Sequence, residues 1–187
     1  MRSLLEGIGL ETDRLNRLVN NVLDLARMKA GAMEPRLVDA DMLDLLGVVL
    51  ARLEPTLNGH KVIVKADPEL PDVRVDVFQM DHVLTNLVEN AVRFSPPTSP
   101  IEVRIADRGQ GVEVSVADHG PGIPTEERQK VLDPFYRMER DRSRAGSGLG
   151  LAIVSAMVSA QGGSLRLKET RGGGATVIAE LPASRPR

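Results

Sequence analysis

Ile101-Glu102-Val103-Arg104-Ile105-Ala106-Asp107, then Arg108-Gly109-Gln110-Gly111, then Val112-Glu113-Val114-Ser115-Val116-Ala117-Asp118 is the stretch that decides the fold. Both arms are rich in β-branched residues and alternate in polarity, so each presents one apolar face at a period of two. The glycine-flanked tetrapeptide between them is a hairpin turn. Working outward, Ser164 to Thr170 and Ala175 to Leu181 repeat the arrangement around Arg171-Gly172-Gly173-Gly174, and Lys61 to Ala66 adds another strand. Helical spacing runs from Val77 to Phe94 and from Leu149 to Gln161, and a third helix through Leu43, Leu46, Val49, Leu50 and Leu53 begins at a capping Asp41 and closes at Pro55 and Gly59. Hairpins with helices between them predict an α/β sandwich, a mixed and mainly antiparallel sheet with helices on one face. Ser95 to Pro100 is a proline-rich loop, and Pro182 to Arg187 is expected to fray.

A chain of 187 residues with 42% hydrophobic content can build one such domain and carry an appendage. Aromatic residues make up 2%, so the core must be aliphatic and stacking surfaces are scarce. A net charge of -2 with interspersed signs gives no reason to expect a nucleic-acid partner. The absence of cysteine excludes disulfides and thiolate chemistry and is compatible with a cytoplasmic location. No apolar run reaches the length of a membrane span, and the opening MRSLLEGIGLETDR turns polar too soon for a signal peptide.

Ahead of the mixed region, Leu4, Ile8, Leu15, Leu18, Val22 and Leu25 form one stripe on a helix reaching to Lys29, with polar Glu11 as the one break. At 1.5 Å per residue that helix spans roughly 40 Å. This exceeds what one face of a small domain requires and predicts packing on another helix, the simpler reading being a surface helix of the same domain. Ala30, Gly31 and Pro35 end it, which divides the chain into residues 1–31 and 32–187.

Three further elements carry chemistry. On the helix Val77–Phe94, His82, Asn86, Asn90 and Arg93 recur at i, i+4, i+8 and i+11, opposite the apolar Met80, Leu84, Leu87, Val88 and Ala91. A solvated stripe would use Glu, Lys or Arg more cheaply than Asn. Stacked Asn oxygens suit a Mg²⁺ shared with phosphate, although by itself the stripe is also an ordinary polar helix face. Asp118-His119-Gly120-Pro121-Gly122-Ile123-Pro124 sets a carboxylate at a strand end, where it can accept a hydrogen bond from an exocyclic amine while the glycines bend against a flat ring. Alone, that motif is more often a turn. Gly146-Ser147-Gly148-Leu149-Gly150-Leu151 opens a helix with free backbone N–H groups, where phosphate can approach. Before it, Tyr136 to Ala145 holds Arg137, Arg140, Arg142 and Arg144 and reads as a mobile basic lid or as a solvated loop. No Gly-Lys-Ser or Gly-Lys-Thr follows the glycines, which excludes a Walker A loop, and no βαβ unit surrounds them.

Together and in this order, these elements resemble the ATP-binding domain of two-component sensor histidine kinases, a branch of the GHKL superfamily with the Bergerat-type sandwich. Asn86-Leu87-Val88-Glu89-Asn90-Ala91 is similar to its N box, Asp118 to Gly122 to its G1 box, Asp133-Pro134-Phe135-Tyr136-Arg137 to its F box, and Gly146 to Gly150 to its G2 box. Arg17 to Arg27 resembles the second helix of the dimerisation and histidine-phosphotransfer domain, and the nearest subfamily likeness is to KdpD-type sensors.

The resemblance implies ATP and Mg²⁺ as ligands. Asp118 would hold the adenine amino group, with Gly120 and Gly122 shaping the loop and Phe94 or Ile123 covering the ring. Asn90 and Asn86 would bridge Mg²⁺ to the phosphates, and Arg93 and Arg137 would steady them. Gly146, Ser147, Gly148, Leu149 and Gly150 would hinge the lid and present backbone N–H groups, with Phe135 seating it. It also implies a receiver domain of a response regulator as partner, a homodimer through the dimerisation helices, and a membrane-anchored parent protein. The acceptor histidine would lie on a helix preceding the first one here, since His60, His82 and His119 have the wrong context. The chain is therefore expected to bind ATP without phosphorylating itself in cis.

Two other readings fit part of the pattern. A GHKL ATPase or an anti-sigma-like serine kinase would carry a general-base Glu where Asn86 stands. A non-catalytic docking module would need no intact Asn90, Asp118 and glycine set.

Overall fold

The computed structural model describes residues 12, 19, 22, 23, 26, 27, 34–141 and 146–184. Thr12, Val19, Val22, Leu23, Ala26 and Arg27 are helical, and the rest of the proposed dimerisation helix lies outside the described residues. So do residues 142–145 of the expected lid and the last three of the tail.

Among the described residues seven strands are formed: β1 Val38–Ala40, β2 Val62–Ala66, β3 Val73–Val75, β4 Ile101–Asp107, β5 Gly111–Ala117, β6 Ser164–Glu169 and β7 Ala175–Pro182. Within residues 34–141 and 146–184 they are joined by the α-helices α1 Met42–Leu53, α2 Val77–Phe94 and α3 Gly150–Ala160. The five strands expected from polarity alternation form one sheet in the order β2-β4-β5-β7-β6. β4, β5, β7 and β6 pair antiparallel in turn, while β2 joins β4 in parallel, so the sheet is mixed. β1 and β3 make a separate antiparallel ribbon that sequence reading misses, because three residues per strand are too few to display a period.

Each helix forms for a local reason. Asp41 accepts hydrogen bonds from the Leu43 and Asp44 amides at 2.7 and 3.1 Å, capping α1 as expected. Asp76 caps α2 in the same way through Phe78 and Gln79, both at 3.0 Å. Buried Met80, Val83, Leu84, Leu87, Val88 and Ala91 make the inward face of α2. They meet Ile101, Val103 and Ile105 of β4 and Val112, Val114 and Val116 of β5 in one aliphatic core, which also takes Met42, Leu46, Val49 and Leu53 from α1 and Ile153, Val154, Met157 and Val158 from α3. Glu102 and Arg104, at the alternate positions of β4, point to the other face of the sheet, as period two requires. Among the described residues no helix is long and apolar enough to cross a membrane.

Candidate functional site

The site is assembled at one end of the sheet, where β5 stops and β7 starts. Asp118 follows the last residue of β5. Its amide donates to the Ala175 carbonyl at 2.9 Å, and its carboxylate oxygen Oδ1 accepts from the Gly120 amide at 2.8 Å and the Ala175 amide at 3.1 Å. Both amides fall on Oδ1, which leaves Oδ2 for a ligand donor. The side chain is largely buried. Burial pushes its pKa above the ordinary aspartate value, opposed by the two backbone N–H groups and by His119.

The loop after Asp118 is stitched to the C-terminal end of α2. The Ser95 amide closes the helix on the Ala91 carbonyl at 3.0 Å, and Ser95 Oγ accepts from the His119 amide at 3.3 Å. A Cβ on Gly120 would lie 2.4 Å from the Phe94 carbonyl oxygen, so only glycine lets the loop come this close. His119 Nε2 stands 3.4 Å from Glu102, which also meets Lys65. The Ile123 carbonyl accepts from Arg128, and the Gly122 carbonyl accepts from Arg140.

Across the cleft, the glycine run meets the asparagine stripe. Asn86 Nδ2 donates to the His82 carbonyl at 2.9 Å, one turn back along α2, which fixes the amide and turns its Oδ1 away from that bond. A Cβ on Gly150, the first residue of α3, would lie 3.1 Å from Asn86 Oδ1 and 3.4 Å from Asn90 Nδ2. The start of α3 therefore rests directly on both asparagines. One on Gly146 would lie 3.0 Å from Arg93 Nη1, which brings the basic end of the stripe to the front of the glycine run. At Gly148, with φ at +72°, the same test meets the Tyr136 carbonyl oxygen at 2.8 Å and Arg137 Cγ at 3.1 Å, and the Phe135 amide donates to the Gly148 carbonyl at 3.0 Å.

The expected residues thus converge, with two differences in how they act. The backbone of Phe135 holds the glycine run, while the residue is 61% exposed. Leu149 is fully buried in the core, so it can serve a ligand only through its backbone, whose N–H lies 3.3 Å from Ser147 Oγ. Arg137 Nη2 donates to the Asp141 carbonyl, and the Tyr136 hydroxyl donates to Glu127, tying the basic segment to the turn that follows the Asp118 loop.

Sequence reading missed Gly174 and Ala175, taken as turn and strand. A Cβ on Gly174, whose φ is +110°, would fall 2.0 Å from the Asp118 carbonyl oxygen. The available signal was a run of three glycines where a hairpin turn needs fewer.

The profile of the histidine kinase-, DNA gyrase B-, and HSP90-like ATPase family matches residues 75–185. The signal transduction histidine-protein kinase/phosphatase MprB of Mycolicibacterium smegmatis is 36% identical over 203 residues, covering 99% of this chain and 38% of that protein. The sensor protein KdpD of Rathayibacter rathayi is 34% identical over 180 residues, covering 91% of this chain and 20% of that protein, so the comparison sets no KdpD-type likeness apart from the others. Full-length ShkA in complex with AMPPNP superposes with a TM-score of 0.82 at 31% identity, over 100% of this chain and 40% of that one. The chain spans less than half the length of these relatives. It belongs to the family of histidine kinase-, DNA gyrase B- and HSP90-like ATPase domains, in which its relatives are sensor histidine kinases.

Proposed function

We propose that this chain binds Mg-ATP and serves as the ATP-donating half of a protein-histidine kinase, passing the γ-phosphoryl group to a histidine on a separate helix, upstream of a response regulator receiver domain. The observation that carries the reading is the pairing of a buried strand-end carboxylate with an asparagine pair on which a glycine-led helix starts. Asp118 Oδ2 would accept from the adenine amine. Asn86 and Asn90 offer neutral oxygens that fit a Mg²⁺ ion, and among the described residues no cluster of three His, Asp or Glu could hold a metal by itself. Such an ion would draw its remaining ligands from phosphate oxygens and water, and it would neutralise charge on the transferring group. Arg93 Nη1 lies beside Gly146 and the stem of Arg137 beside Gly148, from where both side chains would steady the phosphates. Phosphoryl transfer asks mainly for positioning and charge neutralisation, which this set supplies. That ShkA was solved with AMPPNP supports an adenine nucleotide.

Two of the histidines of the described domain have structural partners. His60 Nδ1 bonds the Ser99 carbonyl at 2.8 Å, and His119 faces Glu102. The proposal takes the acceptor from another helix, and dimerisation through residues 1–31 belongs to the same reading. Asn86, where the ATPases of the superfamily would need a general base, cannot take a proton from water, which favours the kinase over the ATPase.

Calorimetric titration with ATP, ADP and GTP, with and without Mg²⁺, tests this. Adenine-selective binding that Asp118→Asn removes is the expected result. No binding to any nucleotide would leave a docking module, and hydrolysis abolished by Asn86→Ala would identify an ATPase.

A further inference from the structure

Away from the nucleotide, a buried hydrogen-bond network joins the far ends of the two helices that build the site. Gln161, just past the end of α3, is 2% exposed. Its Oε1 accepts from the Asp76 amide at 2.8 Å, and its Nε2 donates to the Met157 carbonyl at 3.0 Å and to Gln79 Oε1 at 3.3 Å. Asp76 in turn caps α2 and accepts from the Arg36 amide at 2.8 Å, on the segment leading into the domain from residue 34. Every side-chain polar atom fully buried in this region has a partner.

Helices α2 and α3 thus touch at two stations. Gln79 meets Gln161 at one, and Asn86 with Asn90 meets Gly150 at the other, so the helices run antiparallel. The stations are separated by the length of α3, roughly 16 Å at 1.5 Å per residue. Between them the contact is aliphatic, with Ile153, Val154 and Met157 of α3 in the same core as Val83, Leu84 and Leu87 of α2. Apolar burial is non-directional, whereas amide hydrogen bonds weaken steeply with distance and angle. Axial register is therefore set at the amide station and read at the asparagines.

We propose that Gln161, with Gln79 and Asp76, is a positioning residue that holds α3 in axial register on α2, so that Gly150 seats against Asn86 and Asn90 and the metal-binding half of the site is formed. The inference rests on the Mg-ATP reading above. Through Arg36 the same network gives the incoming chain a mechanical connection to that register.

The test compares Gln161→Met and Gln79→Met with wild type, each titrated with Mg-ATP and, separately, with metal-free adenosine, whose recognition falls to Asp118. Both variants keep side-chain volume and remove the amide. Mg-ATP affinity is expected to fall about tenfold, because Mg²⁺ tolerates little departure from its octahedral oxygen distances. Adenosine affinity should change by less than about twofold, and the Gln161→Met effect should shrink on an Asn86→Ala background, because the two act through one contact. A purely structural role would lower both ligands alike and leave the two substitutions additive, and either result overturns the proposal. Should Gln161→Met fail to fold, Gln79→Met, which leaves Gln161 bonded to Asp76 and Met157, is read by the same criteria. A wild-type protein that binds neither ligand would refute the Mg-ATP reading itself, whereas wild type that binds both, beside variants with unchanged Mg-ATP affinity, refutes the register role alone.

Discussion

Gly150→Ala separates the stability of this fold from its proposed chemistry. Gly150 opens α3 in an ordinary helical conformation, so an alanine there suffers no backbone strain and by helix propensity favours the fold by about 0.5–1 kcal/mol. The new methyl group would stand 3.1 Å from Asn86 Oδ1 and 3.4 Å from Asn90 Nδ2. An oxygen 3.1 Å from a carbon must retreat by a few tenths of an ångström. Asn86 cannot follow freely, because its Nδ2 is held by the His82 carbonyl at 2.9 Å. Mg²⁺ demands oxygen ligands at about 2.0–2.1 Å in near-octahedral geometry, so a displacement of that size costs about 1–2 kcal/mol of metal-dependent binding, or about 5- to 30-fold in Kd. Urea denaturation and calorimetry on the same preparation make the comparison. Unchanged or raised stability with weakened Mg-ATP is the expected pair of results. Full Mg-ATP affinity in a folded Gly150→Ala protein would refute the claim that the start of α3 and the asparagines form one site.

Two further substitutions probe the floor of the site. Asp118→Asn keeps an oxygen for the Gly120 and Ala175 amides but removes a buried charge whose pKa burial has raised. An acid with a raised folded-state pKa favours folding below that pKa and loses the contribution as pH rises through it, so ionised Asp118 costs stability at neutral pH. Thermal unfolding should therefore show the variant gaining more over wild type at pH 7 than at pH 4, and a gain independent of pH would contradict the assignment. Gly174→Ala, at a φ of +110° and with its methyl 2.0 Å from the Asp118 carbonyl oxygen, should destabilise the domain by about 2–4 kcal/mol in urea, combining left-handed backbone strain with overpacking. A loss under about 0.5 kcal/mol would mean that the β6–β7 turn can move away from Asp118.

How much of this was legible beforehand follows from the range of each interaction. Asn86 and Asn90 draw notice because an Asn repeat on a helix is locally expensive, whereas Asp118 alone reads as an ordinary turn and gains meaning only in series with the asparagine stripe and the glycine run. The limits of β4 and α2 were readable because polarity period and helical spacing both act locally, while the Asp76 cap of α2 came only from the structure. Gly174 was not, because the group it must avoid, the Asp118 carbonyl, lies on a different hairpin. Gln161 was invisible for the same reason, its partner amide being 85 residues away. Leu149 was read as part of a phosphate-binding run, yet its side chain belongs to the core, since a glycine-rich motif gives no sign of which intervening residue turns inward.

The fastening of Asp118 has one more consequence. β5 and β7 are both interior strands of the five-stranded sheet, and their pairing brings the carboxylate to the Ala175 amide. If Asp118 recognises a base as proposed, the entropy of ordering that group is spent once, when the chain folds, and not again at each encounter with nucleotide. On that proposal a base would meet a preorganised acceptor, and its affinity would draw on the rigidity of the whole sheet.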